Sequence, residues 1–390
     1  MADKHLKLDA TAELPRRRFI KDAVTTVALT CVAPATLSGC QLGLNSTIST
    51  SANADTMEQA LEMMNGLPAL GNHGPMAAEA LIALGRPDAV ESFIESYKKR
   101  FRSSSPAAHQ KITRDNWREA LGDGERVTDW TDFFNRELQE SAWTKALEKW
   151  SAILAPGLAA AAAHGVIRTA HAARSLSAKE TERRRRELAE GLGYWAAYYQ
   201  PLPDAPDARQ EKFRPAQALA QVPMLPTDKR KGGSVMNGLR GLTDFQPFSK
   251  TARLVEIPDK PEQFLSELTE TFATAYLQHV NQRSLITLIH AVTGTAALRS
   301  LLPYLSPMAK QQMARYGWQA AAALYAISAS ASPNPLPDSK EIRRENLIEQ
   351  AVASQEEHAI KFTEACLREY SLNPKLVYLQ AAQDAVKRLT

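Results

Sequence analysis

The chain has 390 residues, of which 44% are hydrophobic, and a formal net charge of +4 at pH 7. That length can bury a large core, in one big domain or two smaller ones. So small a charge excludes the dominant basic field that a nucleic-acid partner calls for.

The first segment reads as an address. Arg16-Arg17-Arg18-Phe19-Ile20-Lys21 matches the twin-arginine export signature, with Pro15 where a serine or threonine is usual. An apolar run, Ala23 to Ala35, follows, and Leu37-Ser38-Gly39-Cys40 resembles the bacterial lipobox. The run is too short and wrongly flanked for a lasting transmembrane helix. Residues 1–39 are therefore expected to be a signal peptide, cleaved before Cys40, whose acylated thiol anchors the chain in the cell envelope. Gln41 fits sorting to an outer membrane, and 40–55, rich in Ser, Thr and Asn, reads as a tether. Twin-arginine export carries folded proteins, often with a cofactor already inserted, which hints at a metal or other cofactor. Of the three cysteines, Cys31, Cys40 and Cys366, processing leaves only Cys366 free, so no disulfide framework is expected. Cys366 falls on an apolar helix stripe, as a small buried hydrophobe would.

From residue 56 to 390 the pattern is helix after helix, with no convincing run of alternating β-branched residues, so the expected fold is a single all-α domain. Pro75 and Gly85 bracket a helix, which puts His73 in a tight turn at its N-terminus. Asp88 to Tyr97 makes the next helix, and Asp115 to Asp129 is mixed helix and turn. Phe133 to Trp150 reads as an amphipathic helix and Ala155 to Leu176 as a small-residue helix carrying His164 and His171. Seven residues apart, those two histidines lie about 10.5 Å apart along a straight helix, too far to share one ion. The basic run Arg183 to Arg186 is flanked by glutamates and reads as a solvated helix face. Leu188 to Tyr199 continues as helix. Gln200 to Pro261, rich in Pro, Gly and charge, reads as an irregular insert or lid, with Phe245 and Phe248 as candidate contacts for an aromatic substrate. Glu262 to Pro303 is helical and carries His279 and His290. Leu305 to Ser328 is another helix, and Ile342 to Tyr370 the last long one, carrying His358 and Lys361 on one face.

Of eight histidines, His5 lies in the expected signal peptide and His109 in a polar stretch, leaving His73, His164, His171, His279, His290 and His358 in or beside apolar helical segments. Imidazole is the commonest metal ligand, so a site gathered from several helices is plausible, although no HExxH, CxxC or paired ExxH spacing names the metal. By spacing alone Lys361 is as well explained by a helix salt bridge with Glu357 or Glu364.

Four motifs in series, Asn72-His73-Gly74, His164-Gly165-Val166-Ile167-Arg168 with His171, Ile289-His290-Ala291-Val292-Thr293 and His358-Ala359-Ile360-Lys361, resemble the questin oxidase-like family of ring-opening oxygenases. The resemblance implies iron held by His73, His164, His290 and His358, with Lys361 carboxylated to an anionic carbamate. The implied set is chemically coherent: iron that activates O₂ usually has an anionic oxygen ligand beside its imidazoles, and no carboxylate stands in ligand position within the four motifs. Burial would favour the neutral lysine amine that captures CO₂.

The expected function is that of an Fe(II)-dependent oxygenase which uses O₂ to break a ring C–C bond in a small aromatic or quinonoid molecule. His171 would be an acid–base or supporting group. No Rossmann fingerprint is present, so NADPH, if the reaction uses it, would need another site. The alternatives are a zinc or other metal-dependent hydrolase on the same histidines, and a non-catalytic envelope lipoprotein.

Overall fold

The computed structural model describes residues 55–67, 73–100, 107–230, 234–338 and 341–390. The export signature, the lipobox and the tether up to residue 54 lie outside the described residues, as do Gly71 and Asn72. Among the described residues the fold is all-α: helices and short 3₁₀ turns, no strand, and a single isolated bridge between Phe213 and Val255.

The helices in chain order are α1 (55–63), α2 (Gly74–Ala83), α3 (Val90–Lys98), α4 (Val127–Glu140), α5 (Trp143–Leu154), α6 (His164–Ala178) and α7 (Glu182–Ala197). They continue as α8 (Pro215–Leu219), α9 (Val235–Gly241), α10 (Glu262–His279), α11 (Leu285–Leu301), α12 (Pro307–Ser328), α13 (Arg344–Ser354), α14 (Glu357–Leu372) and α15 (Leu376–Leu389). Helix α11 is the axis. It is apolar nearly all round because it packs on α6, α10, α12 and α14 at once. The stretch Leu285–Tyr304 is apolar enough to cross a membrane by composition (hydropathy 1.5), yet 83% of its most apolar window is buried inside the protein. Trp130, Trp150, Trp195 and Trp318 are fully buried in the main core. Each large apolar side chain buried in this way stabilises the fold by roughly 1.5–3 kcal/mol. A smaller core joins α1, α2 and α3 to Val352 and Ile360.

Several expected helices are broken, each for a local reason. Phe133 to Trp150 divides into α4 and α5 because Ser141 turns its hydroxyl back onto the Glu137 carbonyl (2.9 Å) and the backbone at 141–142 is extended. Ala155 to Leu176 is not one helix: residues 155–163 form 3₁₀ turns, and α6 begins only at His164. Glu262 to Pro303 is two helices, joined where Asn281 and Ser284 bond each other's backbone. Ile342 to Tyr370 is broken at Gln355, which adopts a left-handed φ of 50°, so α14 starts afresh beside Glu356. The last helix, α15, was not anticipated.

The stretch 200–261 is less irregular than its composition suggests. It carries α8, α9 and the 3₁₀ segment Gln246–Arg253, which pack on α10 and α12. Phe248 is fully buried there rather than facing a substrate, and Leu225 N–H donates to Ala326 O at 3.0 Å. Arg184 corrects the reading of the basic run as solvated. It is 1% exposed, with Nε donating to Glu58 and Nη1 to the Ser175 carbonyl, while Arg183, Arg185 and Arg186 remain at the surface in ion pairs.

Candidate metal centre

Four helices converge on one point between the two cores. His73 is the N-cap of α2, His164 the first residue of α6 and His358 the second of α14, whereas His290 lies within α11. The ring centroids of His73 and His164 are 4.6 Å apart, those of His73 and His358 4.8 Å, of His164 and His290 4.4 Å, and of His290 and His358 5.3 Å. The ligand atoms of His73, His164 and His358 lie within 4.8 Å of one another. The structure thus brings together all four histidines implied as ligands.

Their tautomers follow from what the other ring nitrogen touches. His290 Nδ1 donates to the Ile286 carbonyl at 2.7 Å, His164 Nδ1 to the Ala161 carbonyl, and His358 Nδ1 to Glu356 Oε1 at 2.8 Å. With Nδ1 carrying the proton, each Nε2 presents a lone pair, the arrangement by which proteins orient metal-binding histidines. His290 Nε2 and His73 Nδ1 are buried without a hydrogen-bond partner. Nε2 of His73 and of His164 stand 2.7 Å apart, close to the spacing of about 3 Å between adjacent nitrogens each about 2.1 Å from one ion. Buried polar atoms are nearly always paired, so this group of spare lone pairs fits a cation.

The electrostatics favour the neutral form of His73, His164 and His290. Burial, then the Lys361 charge and the neighbouring imidazoles, lower His73 well below its ordinary value. Burial and Lys361 bring His164 down to about 3, and burial with the adjacent His164 and His358 depresses His290. Three of the four rings sit in the first turn of a helix or at its cap, where the backbone dipole also opposes a positive charge.

Lys361 follows His358 by one turn and is 3% exposed. Burial lowers its amine to about 8, against the opposing pull of Glu357 and Glu356. About a tenth of it is therefore neutral at neutral pH. The salt bridges that spacing allowed do not form: Glu357 pairs with Arg100, and Glu364 with Arg174 and Arg368.

Two carboxylates that the sequence does not assign to the site, Glu356 and Glu357, stand beside the cluster. Glu356 caps α14, accepting from the backbone of His358 (2.7 Å) and Ala359 (2.8 Å) while its other oxygen holds the His358 ring. Burial alone would raise its pKa, but the His358 hydrogen bonds and charge hold it below the ordinary value. Glu357 Oε1 lies 3.8 Å from His73 Nδ1. Nothing in the sequence marked Glu356, because the helix break that makes it a cap was not visible and glutamate is not a preferred capping residue. Tyr97 and Tyr194 were missed in the same way. The first accepts the His73 backbone N–H at 2.6 Å, and the ring of the second lies 6.4 Å from that of His164.

The other histidines lie outside the cluster. His171 Nδ1 bonds Glu79 at 2.6 Å within a network that includes Arg174 and Glu364. His171 and Lys361 do line one small cavity together, with Thr293, Ser300 and Arg368. His279 bonds the Ser330 carbonyl at 3.1 Å, and His109 is exposed. Cys366 is fully buried, which pushes its thiol pKa up and makes it inert.

No curated protein matches the chain. Residues 70–366 match the profile of the family described as questin oxidase-like, a span that contains all four clustered histidines and Lys361. That family points to oxidoreductase chemistry, of the oxygenase type on aromatic molecules, and the chain belongs to it.

Proposed function

We propose that the protein is a non-heme iron oxygenase that cleaves a ring C–C bond of an aromatic or quinonoid substrate with O₂. The observation that carries this reading is the convergence of four imidazoles, with His290 Nε2 and His73 Nδ1 left without a partner among the described residues and Nε2 of His73 set against Nε2 of His164. His73, His164, His290 and His358 would hold the iron, with Lys361 as a carbamate. When bound, iron supplies the electron transfer that makes O₂ reactive toward an electron-rich ring. Lys361 acquires its anionic oxygens when its neutral amine forms an N–C bond to CO₂ and releases one proton. The rest is done by the chain itself. Ile286 O, Ala161 O and Glu356 hold three imidazoles in the tautomer that exposes Nε2. Burial of His73, His290 and Lys361 excludes water from the site. Tyr194 supplies an aromatic wall near His164, and His171, tied to Glu79 beside the Lys361 cavity, supports the lysine rather than touching substrate. Export as a lipoprotein anchored at Cys40 would place this chemistry in the cell envelope.

An all-imidazole donor set also suits zinc, and a hydrolase on the same residues is the competing reading. Metal analysis of protein purified without oxygen separates them. Near one iron per chain, lost in Lys361→Ala, supports the oxygenase. Stoichiometric zinc with no capacity for Fe(II) overturns it, and an unaltered metal content after His73→Ala, His290→Ala and His358→Ala removes the centre altogether.

A further inference from the structure

Ala161, Ala162 and Ala163 have φ values of 48°, 59° and 65°, three consecutive non-glycine residues in the left-handed region. Each Cβ there crowds the carbonyl that follows, so such a run persists only where its surroundings over-determine it. One restraint is the His164 ring, whose Nδ1 donates back to the Ala161 carbonyl. A second is helix α11. A Cβ added to Gly294 would sit 3.0 Å from the Cβ of Ala163, so the turn and the helix already touch at the limit that a bare glycine allows. The turn has little room to retreat along the chain, because Gly165, just past His164, is itself pressed on α7: a Cβ there would meet Trp195 Cα at 2.6 Å.

Gly294 lies one turn beyond His290 on α11, and His290 is the ring 4.4 Å from His164. One helix therefore presents both an imidazole and the gap into which the neighbouring imidazole's turn fits. We infer that Gly294 is a positioning residue: its missing side chain sets how closely α11 approaches the left-handed turn, and so sets the span between His164 and His290. The metal reading of the four histidines is taken over from the proposal above, but the positioning role is testable without it.

Gly294→Ala, its compensating double variant Ala163→Gly/Gly294→Ala, and a control, Gly238→Ala, decide the matter. In the control, on α9, which packs on the same turn, the added methyl meets Ile327 Cδ1 of α12 at 2.9 Å instead of Ala163. Anaerobic Fe(II) titration of folded, metal-free protein should show affinity reduced about ten- to a hundredfold in Gly294→Ala, the usual effect of losing a residue that orients a ligand. The double variant should recover it, and the control should bind as the wild type. In parallel, ¹⁵N-edited spectra of the imidazoles in metal-free protein should show the His164 and His290 resonances displaced in Gly294→Ala and restored in the double variant. If wild-type protein takes up no Fe(II), the metal reading fails while these resonances still test the span. Unmoved resonances with wild-type affinity in Gly294→Ala, or failure of the double variant to restore either readout while remaining folded, overturns the inference.

Discussion

The same three helices carry two buried polar layers of opposite character. At their N-terminal ends, α2, α6 and α14 present His73, His164 and His358. About two turns further along, they present Glu79, then His171 and Arg174, then Glu364 and Arg368. In the second layer the charges answer one another: Glu79 takes His171 and Arg174, and Glu364 takes Arg174 and Arg368 through Oε1, with only its Oε2 left without a hydrogen bond among the described residues. Burial would raise the Glu364 carboxyl, but the two guanidinium groups hold it well below the carboxylate range. In the first layer like meets like, imidazole against imidazole, with His73 Nδ1 and His290 Nε2 left without partners. A layer whose polar groups are matched internally cements helices. One whose groups lack donors can accept a partner from outside the chain.

Breaking the matched layer should therefore have the largest effect on stability. Arg174→Met leaves Glu79 and Glu364 buried with fewer partners, and should cost about 3–5 kcal/mol in urea-induced unfolding. His290→Gln, in the open layer, should cost less than about 1.5 kcal/mol in metal-free protein, since it removes no satisfied buried pair beyond one bond to Ile286. Comparable losses in the two variants would erase the distinction.

A change at the outer edge of the open layer, at the cap of α14, should act on metal and hardly on fold. Glu356→Gln keeps the volume but weakens the charge that orients the His358 ring, and Fe(II) affinity should fall about ten- to a hundredfold with little change in melting temperature. A wild-type titration curve for that variant would mean Glu356 only caps α14.

Acid should distinguish the layers next. His73, His164 and His290 have folded-state pKa values below the ordinary 6.5, held down chiefly by burial. Below pH 6.5 the unfolded chain therefore binds protons that the folded protein refuses, and stability falls as pH drops. The depressed carboxylates add their loss only below about their ordinary 4.5. Unfolding followed between those limits thus reports mainly on histidines, including His171 and His279, which burial also lowers. His164→Gln should flatten the slope there by about one proton. An unchanged slope would show that His164 already takes up its proton when folded.

The smallest effect is expected at the left-handed turn. Ala162→Gly relieves about 1–2 kcal/mol of crowding and returns about 0.5–1 kcal/mol in unfolded-chain entropy, so the melting temperature should be unchanged or slightly raised. A clear loss would mean that the alanine methyl packs more than its backbone suffers.

How much of this was legible in the chain depends on the range of the forces involved. Helical period and apolar stripes are local, so the all-α class and the helical segments holding His164, His290, His358 and Lys361 were readable. So was the helix start directly after His73, marked by Pro75. The breaks were not. Left-handed φ at Ala161 to Ala163 contradicts alanine's own preference and is imposed by α11 and by the His164 ring. The break at Gln355 hid the cap role of Glu356, and Arg184 looked solvated because its partner Glu58 lies on a distant helix. Sequence by itself determined the all-α class and the helical segments that hold the histidines and Lys361. Tertiary structure alone decided that four imidazoles meet while Glu364 is claimed by arginines and Lys361 is left without an ion pair among the described residues. Burial and pairing are properties of packed neighbours, and no spacing along one helix encodes them.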